Sequence, residues 1–449
     1  MSTPETKTPG TASPARPENL VRAWYVVFAL TAIYMLSYMD RVILSLLVAP
    51  MKRDLGISDT RVGLLQGLAF GLFYTLVGLP LGRIADTRNR RNLIAAGVVL
   101  WSLFTSACSF ARSFWTLFLA RMGVGVGEAS LSPAAYSLIA DYFPREQLGV
   151  AISVFYMGIY LGTSLSLLVT GLIVDAIGHT ASITVPLLGA MASWRITFLI
   201  VGLPGALFAL LAYTFPEPTR RGLLRTREGQ SNVSFGVALA EMKRRWKPLI
   251  GISMGAIFQA VSTYAVISWT PTYFQRVRGW TPAYSGRVLA VLLLTFGCLG
   301  MYTGGRLSDH WQKNGVREGP LRAGVVCALG TLLFLPTAFL LQPVESSLFL
   351  MGPGIFCLSL AMGTSPAALQ PIFPNQVRGQ VSALFLFFLN LGGLSLGPLM
   401  PGFLNDHLFH NGQMIGVSLA ITIASAAVLM LIAFRVTYGA YRAQYELKM

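Results

Sequence analysis

The stretch LSYMDRVILS, residues 36–45, sets Asp40 beside Arg41 inside an apolar run that extends from Trp24 to about Pro50. A second apolar run carries Arg121 and Glu128, seven residues apart. An acid or base at the centre of a membrane helix costs roughly 3 kcal/mol on insertion scales, so four in two helices need a purpose. In the first run Tyr34, Ser37, Tyr38, Arg41 and Ser45 recur every three or four residues and share a face, with Asp40 at its edge. In the second, Arg121, Gly125, Glu128 and Ser132 form another polar or small-residue stripe, its two charges ~10 Å apart along the axis. Counting helical rise from the span ends puts Asp40 and Arg41 at a depth between Arg121 and Glu128. As neighbours, the two helices would hold a four-charge cluster, neutral overall, in which each acid satisfies an arginine. Protonating Asp40 or Glu128 would leave positive charge in a low-dielectric cavity and favour an anionic group beside Arg41 and Arg121. The plainer alternative is an ion-pair network that only ties helices together, a contact Ser or Asn would make more cheaply. His179, His310, His407 and His410 all fall near span ends or loops, so proton chemistry at mid-depth rests on the two carboxyls.

The rest of the chain is suited to hold such a site in a bilayer. Its 449 residues are 54% hydrophobic and 12% charged, with mean hydropathy +0.61. That is about half the charged fraction of a soluble chain. At ~20 residues per crossing, the apolar runs predict twelve spans near 24–50, 60–82, 92–111, 114–139, 147–175, 194–215, 248–275, 284–306, 321–342, 346–371, 378–405 and 413–438. The net charge of +16 suggests nucleic acid until it is mapped. With both termini inside, 24 of the 34 Lys and Arg fall in cytoplasmic segments, 8 outside, and only Arg41 and Arg121 within spans. This is the positive-inside signature. It predicts a multi-pass protein of the plasma membrane, a bacterial inner membrane, with cytoplasmic termini and no nucleic-acid partner. Residues 1–23 are polar, without a cleavable signal, and read as a disordered cytoplasmic tail; 439–449 form a second tail. Cys108, Cys298, Cys327 and Cys357 lie inside spans and read as packing residues, not disulfides. The glycines of RMGVGVGEAS, residues 121–130, follow no strand and signify helix packing, not a nucleotide loop. With no phosphate-binding loop, metal-ligand cluster or nucleophile–base pair, an enzyme is not expected, nor a metal or cofactor.

The longest polar stretch, 216–247, is a partly amphipathic cytoplasmic linker between six spans in 24–215 and six in 248–438. The halves match. GRIAD at 82–86 pairs with GRLSD at 305–309, FPREQLGVA at 143–151 with FPNQVRGQV at 373–381, and GLIVD at 171–175 with GFLND at 402–406. The offsets, 223, 230 and 231 residues, imply a duplicated six-helix unit. Two such bundles rocking about a central site would give alternating access. The second half carries no acid or base at mid-depth. Its candidate cavity residues are Phe258, Gln259, Thr263 and Tyr264 in helix 7, and Phe387 and Asn390 in helix 11. A charged half facing an aromatic half suits an amphiphile.

The segment GRIADTRNRR resembles the signature loop between helices 2 and 3 of the major facilitator superfamily, with Asn89 in place of the usual second glycine. That resemblance implies a cytoplasmic latch. Gly82 would permit close helix contact, Asp86 and Arg90 would carry the charge with Arg83 beside them, and Asp141 would be their partner. Gly305 and Asp309 occupy the repeated positions. SYMDR (37–41), GLLQGLAFGLFYTLVGLPLGRIADTRNRR (63–91) and GVGVGEASLSPAAYSLIADYFP (123–144) resemble Spinster-type transporters of that superfamily. The resemblance implies an all-α fold of twelve transmembrane helices in two pseudo-symmetric bundles. It further implies a monomeric secondary transporter among membrane lipids, coupled to protons, for a sphingoid phosphate or lysolipid. The DR and GEAS residues would lie at the transport site. Proton-coupled symporters of small organic anions such as sugar acids share the Tyr-x-Asp-Arg pattern and supply the alternative. A membrane sensor that transports nothing is a third class.

Overall fold

Without water in a bilayer core, each backbone N–H and C=O must be paired within its own segment, and the apolar runs accordingly fold as helices. The computed structural model describes residues 17–177, 182–186, 189–219, 235–374 and 377–446. The first half contains α1 (Pro17–Val42), α2 (Val48–Leu55), α3 (Asp59–Gln66), α4 (Leu68–Thr87), α5 (Arg90–Ala107), α6 (Phe114–Glu128), α7 (Leu131–Tyr142) and α8 (Arg145–Ile177). A small antiparallel hairpin, β1 (Ser182–Val185) and β2 (Gly189–Ala192), sets Ser182 opposite Ala192 and leads into α9 (Ser193–Gly205). The linker contributes α10 (Phe235–Arg244). The second half contains α11 (Trp246–Arg278), α12 (Pro282–Leu292), α13 (Cys298–Lys313), α14 (Gly319–Leu340), α15 (Val344–Ser359), α16 (Thr364–Leu369), α17 (Arg378–Leu404) and α18 (Ile415–Glu446).

Eleven segments of the described residues are long and apolar enough to cross a membrane. The fourth crossing, α6 with α7, is the twelfth, and it is interrupted at Ala129–Ser130 directly after Glu128. Pro133 explains the break, because its ring clashes with the carbonyl four residues back, that of Ala129. Two terminal expectations change. Residues 17–23 belong to α1 and 439–446 to α18, so the helices run into both predicted tails. Residues 1–16, 220–234 and 447–449 of those tails and the linker lie outside the described residues.

The apolar core is divided in a way that matters for the site. At the end remote from the termini, one cluster joins both halves, with Leu44, Leu47, Trp194 and Phe198 packed in the same core as Trp269, Tyr273, Leu289 and Ile415. At the terminus end there are two clusters. One is built almost wholly from the first half around Ile33, Trp101 and Phe155, the other from the second around Ile252, Ala328 and Phe434. The bundles are joined at one end and separate at the other. Gly67 shows how tight the joint is: a Cβ there would stand 2.6 Å from the carbonyl oxygen of Leu394 in α17.

Candidate functional site

The four mid-depth charges do meet, though not as two equal pairs. Glu128, at the end of α6, is buried, and its Oε2 accepts hydrogen bonds from Ser37 Oγ at 2.5 Å and Arg41 Nε at 2.6 Å. The Arg41 guanidinium lies over three rings, Phe70 at 4.6 Å and Tyr38 and Tyr74 at 4.7 Å each. Such cation–ring contacts are worth roughly 0.5–2 kcal/mol apiece, more when desolvated. Phe70 and Tyr74 stand one turn apart on α4, and a Cβ on Gly125 of α6 would come within 2.6 Å of the Phe70 carbonyl oxygen. The bare backbone at Gly125 therefore brings the ring-bearing helix to the charge-bearing one.

Arg121 corrects the expected symmetry. Its Nη1 donates to the backbone carbonyl of Asp40 at 2.9 Å, and not to the Asp40 carboxylate. Both carboxylate oxygens of Asp40 are buried without a hydrogen-bond partner among the described residues. The reason lies in the ~100° between neighbours on a helix: Arg41 faces α4 and α6, while Asp40 turns toward Thr105 and Trp101 of α5.

Arg41 opens onto a cleft between the bundles. Tyr38, Ser45, Gln66 and Phe70 line it from the first half, and Tyr264, Ile267, Ser268 and Leu394 from the second. Of the residues expected there, Arg41, Tyr38 and Tyr264 arrive and most others pack elsewhere. Tyr34 stacks on Phe155 at 4.5 Å. Ser132 meets the Tyr74 hydroxyl at 3.4 Å. Gln259 donates to the Leu358 carbonyl at 3.0 Å, and Thr263 donates back to the Gln259 carbonyl at 3.0 Å. Phe258 packs against the second-half core, and Phe387 meets Phe388 edge-on at 5.4 Å. Asn390 is half-buried on α17. Phe70 and Tyr74 were missed, because an aromatic residue in an apolar span carries no sign of whether it faces a charge.

The latch residues separate. Arg90 is buried and binds Asp141 at 2.5 Å and Ser137 at 2.8 Å in its own half, and Glu217 at 2.7 Å at the start of the linker. Asp86 is exposed and, among the described residues, has no ion-pair partner. Arg83 and Asp309 are exposed. Gly82 approaches nothing nearer than Pro133, and Gly305 has open space around it. Close contact at these two glycines is absent because the bundles diverge at this end. At the opposite end Asp59 of α3 binds Arg276 of α11 through both oxygens, at 2.6 and 2.8 Å, together with Lys52 and with Asn405 at 3.0 Å. In the sequence, Lys52 and Arg276 enter only as two of the eight external cations.

A twelve-crossing bundle, duplicated, with a charged cleft between its halves, is the architecture of a carrier, and residues 30–398 match the sequence model of the Major Facilitator Superfamily. The chain belongs to that superfamily. It is a multi-pass membrane transporter of small molecules and not an enzyme. An MFS-type efflux pump of Mycolicibacterium smegmatis is 28% identical over 94% of both chains. The protein spinster homolog 1 of Xenopus laevis is 29% identical over 86% of this chain and 74% of that one. A bacterial homolog of the human lysosomal transporter Spinster, crystallised inward-facing and unoccupied, shares the fold, with TM-score 0.77 and 24% identity over 97% and 98% of the two chains. Sugar-acid carriers match at lower identity, among them a hexuronate transporter of Bacillus subtilis at 24% over 88% of this chain and 91% of its own.

Proposed function

We propose that this superfamily member is a proton-linked secondary transporter that works by alternating access and moves an amphipathic, lipid-like anion. It would sit in a bacterial inner membrane with both termini cytoplasmic, as the charge distribution along the chain suggests. One observation carries the reading: Arg41, ion-paired to Glu128 and caged by three rings, borders a cleft whose other wall includes the apolar Ile267 and Leu394. An anionic head would displace Glu128 from Arg41, with a proton taken up to cancel the released negative charge. The tail would lie along Tyr264, Ile267 and Leu394. Similarity to the spinster homolog, together with the Spinster-type motifs, supports the lipid-like cargo. The hexuronate relative supports the second reading, a small sugar acid, for which Arg41 and the cleft hydroxyls would serve without a tail site.

Flux into proteoliposomes tests both, with lysolipid, sphingoid phosphate and sugar acid compared in the presence and absence of a proton gradient. For one head group, affinity is expected to rise with tail length, by up to ~0.8 kcal/mol per buried CH₂. A flat series alongside strong uptake of sugar acids would favour the second reading. Flux of none, with the central charges dispensable, would point to a sensor.

A further inference from the structure

The repeated motifs GLIVD and GFLND meet the opposite half in the same way. In GFLND, Asp406 accepts the N–H of Thr60 at 2.5 Å and that of Asp59 at 3.3 Å, both in the first turn of α3. In GLIVD, Asp175 accepts the N–H of Ala283 at 3.2 Å, in the first turn of α12. The helices so capped are themselves repeats. Ser58 and Thr281, 223 residues apart, are their N-cap residues, and their hydroxyls take the N–H of Arg61 and Tyr284. In each pair the helix's own hydroxyl satisfies the third amide of the turn, and a carboxylate from the other bundle satisfies the second. The glycines complete the parallel. A Cβ on Gly402 would lie 2.4 Å from the Asp59 carbonyl oxygen, and one on Gly171 would lie 2.9 Å from Cα of Ala283. Gly and Asp, four residues apart, thus bring backbone contact and negative charge onto one helix start, where unpaired N–H groups and the positive dipole end wait for them.

We propose that the two G-x-x-x-D copies are reciprocal latches that hold the end remote from the termini shut. Parting the bundles there removes a carboxylate from the start of α3 and another from the start of α12, and water takes their place. Asp59 and its partner Arg276 reinforce the α3 latch alone, because Pro282 occupies the position in α12 that matches Asp59. The proposal rests on alternating access and on no particular substrate.

Spin labels on cysteines at the exposed Arg53 and Gln413, with Cys298 and Cys357 replaced by alanine, report the separation of the bundles at this end. The parent is expected to show a dominant short distance. Asp175→Ala and Asp406→Ala should each lower the closed-to-open ratio roughly five-fold, and together roughly twenty-five-fold, the scale of a lost N-cap. Asp175→Asn and Asp406→Asn keep an acceptor oxygen and should restore most of the short population. Alanine variants that keep the parent's distances would overturn the proposal, as would asparagine variants that open as far as alanine. The distances are read without substrate, so an error in the cargo leaves this test intact.

Discussion

Arg41 is held by one carboxylate and three rings, and this division of labour determines what the residue can do. Glu128 supplies full charge at 2.6 Å, while each ring supplies orientation and a smaller attraction. Removing the charge of Glu128 therefore leaves Arg41 in place and open to an anion. Glu128→Gln is expected to retain anion binding but lose its dependence on pH, which binding titrations at several pH values would check. Unchanged pH dependence would reduce the Arg41–Glu128 contact to a structural ion pair. Asp40→Asn leaves that pair intact, so its effect on binding should be the smaller of the two. Any coupling between the acids would appear as non-additivity in the double variant. These four charges and their overlapping depths were legible in the sequence, since ionisable residues stand out in apolar spans and helical rise fixes their height. The partner of each was not. A rotation of ~100° between Asp40 and Arg41 sends one to α5 and the other to the rings, and depth alone is blind to rotation.

At the scale of elements, the helices that carry the site are set by close backbone contact and by staples at their ends. Gly125→Ala would press a methyl group toward the Phe70 carbonyl, 2.6 Å away, and backbone cannot swing aside as a side chain can. A loss of roughly 1–3 kcal/mol is expected, seen as a lower melting temperature in detergent and weaker anion binding together. The staples follow the duplication with their charges exchanged. At the start of α5, Arg90 holds Glu217 beyond the sixth crossing; at the start of α14, Glu318 holds Arg442 near the end of the twelfth. Hydrogen bonds from Arg442, with Arg322 assisting, lower the Glu318 carboxyl to about 2. A folded-state value below the unfolded ~4.3 contributes stability at higher pH, which is lost as pH falls from about 4 toward 2. Glu318→Gln should lower the melting temperature modestly at neutral pH, because the Arg442 side chain is 52% exposed. It should also flatten the acid limb relative to the parent; parallel acid limbs would deny the staple its role. The helices themselves were readable from hydropathy. The break at Ala129–Ser130 was not, since Pro133 three residues inside α7 is compatible with a helix start or a helix interruption.

The whole molecule is a pair of bundles sharing one core at the end remote from the termini and keeping separate cores at the other. That arrangement leaves Asp86, Arg83 and Asp309 exposed at the terminus end, and the cleft beside Arg41 is lined from both bundles. The duplication was plain in three motif pairs, but which end they close was not, because a repeat specifies symmetry and says nothing about which of two states is occupied. Direction of transport depends on how proton and substrate share the site. If an anion can bind Arg41 only when Glu128 has taken a proton, the two ligands bind cooperatively, which suits symport. Export driven by an inward proton gradient requires competition instead. Linkage makes the distinction measurable without any flux, since a ligand whose affinity rises on protonation must raise proton affinity by the same factor. With Glu128 as the only carboxylate bound to Arg41 among the described residues, the cooperative case is expected. Mixing protein and substrate in weakly buffered solution should therefore take up protons, and Glu128→Gln should abolish the uptake. Proton release would establish exchange, and would require the anion to meet Arg41 with Glu128 still charged beside it.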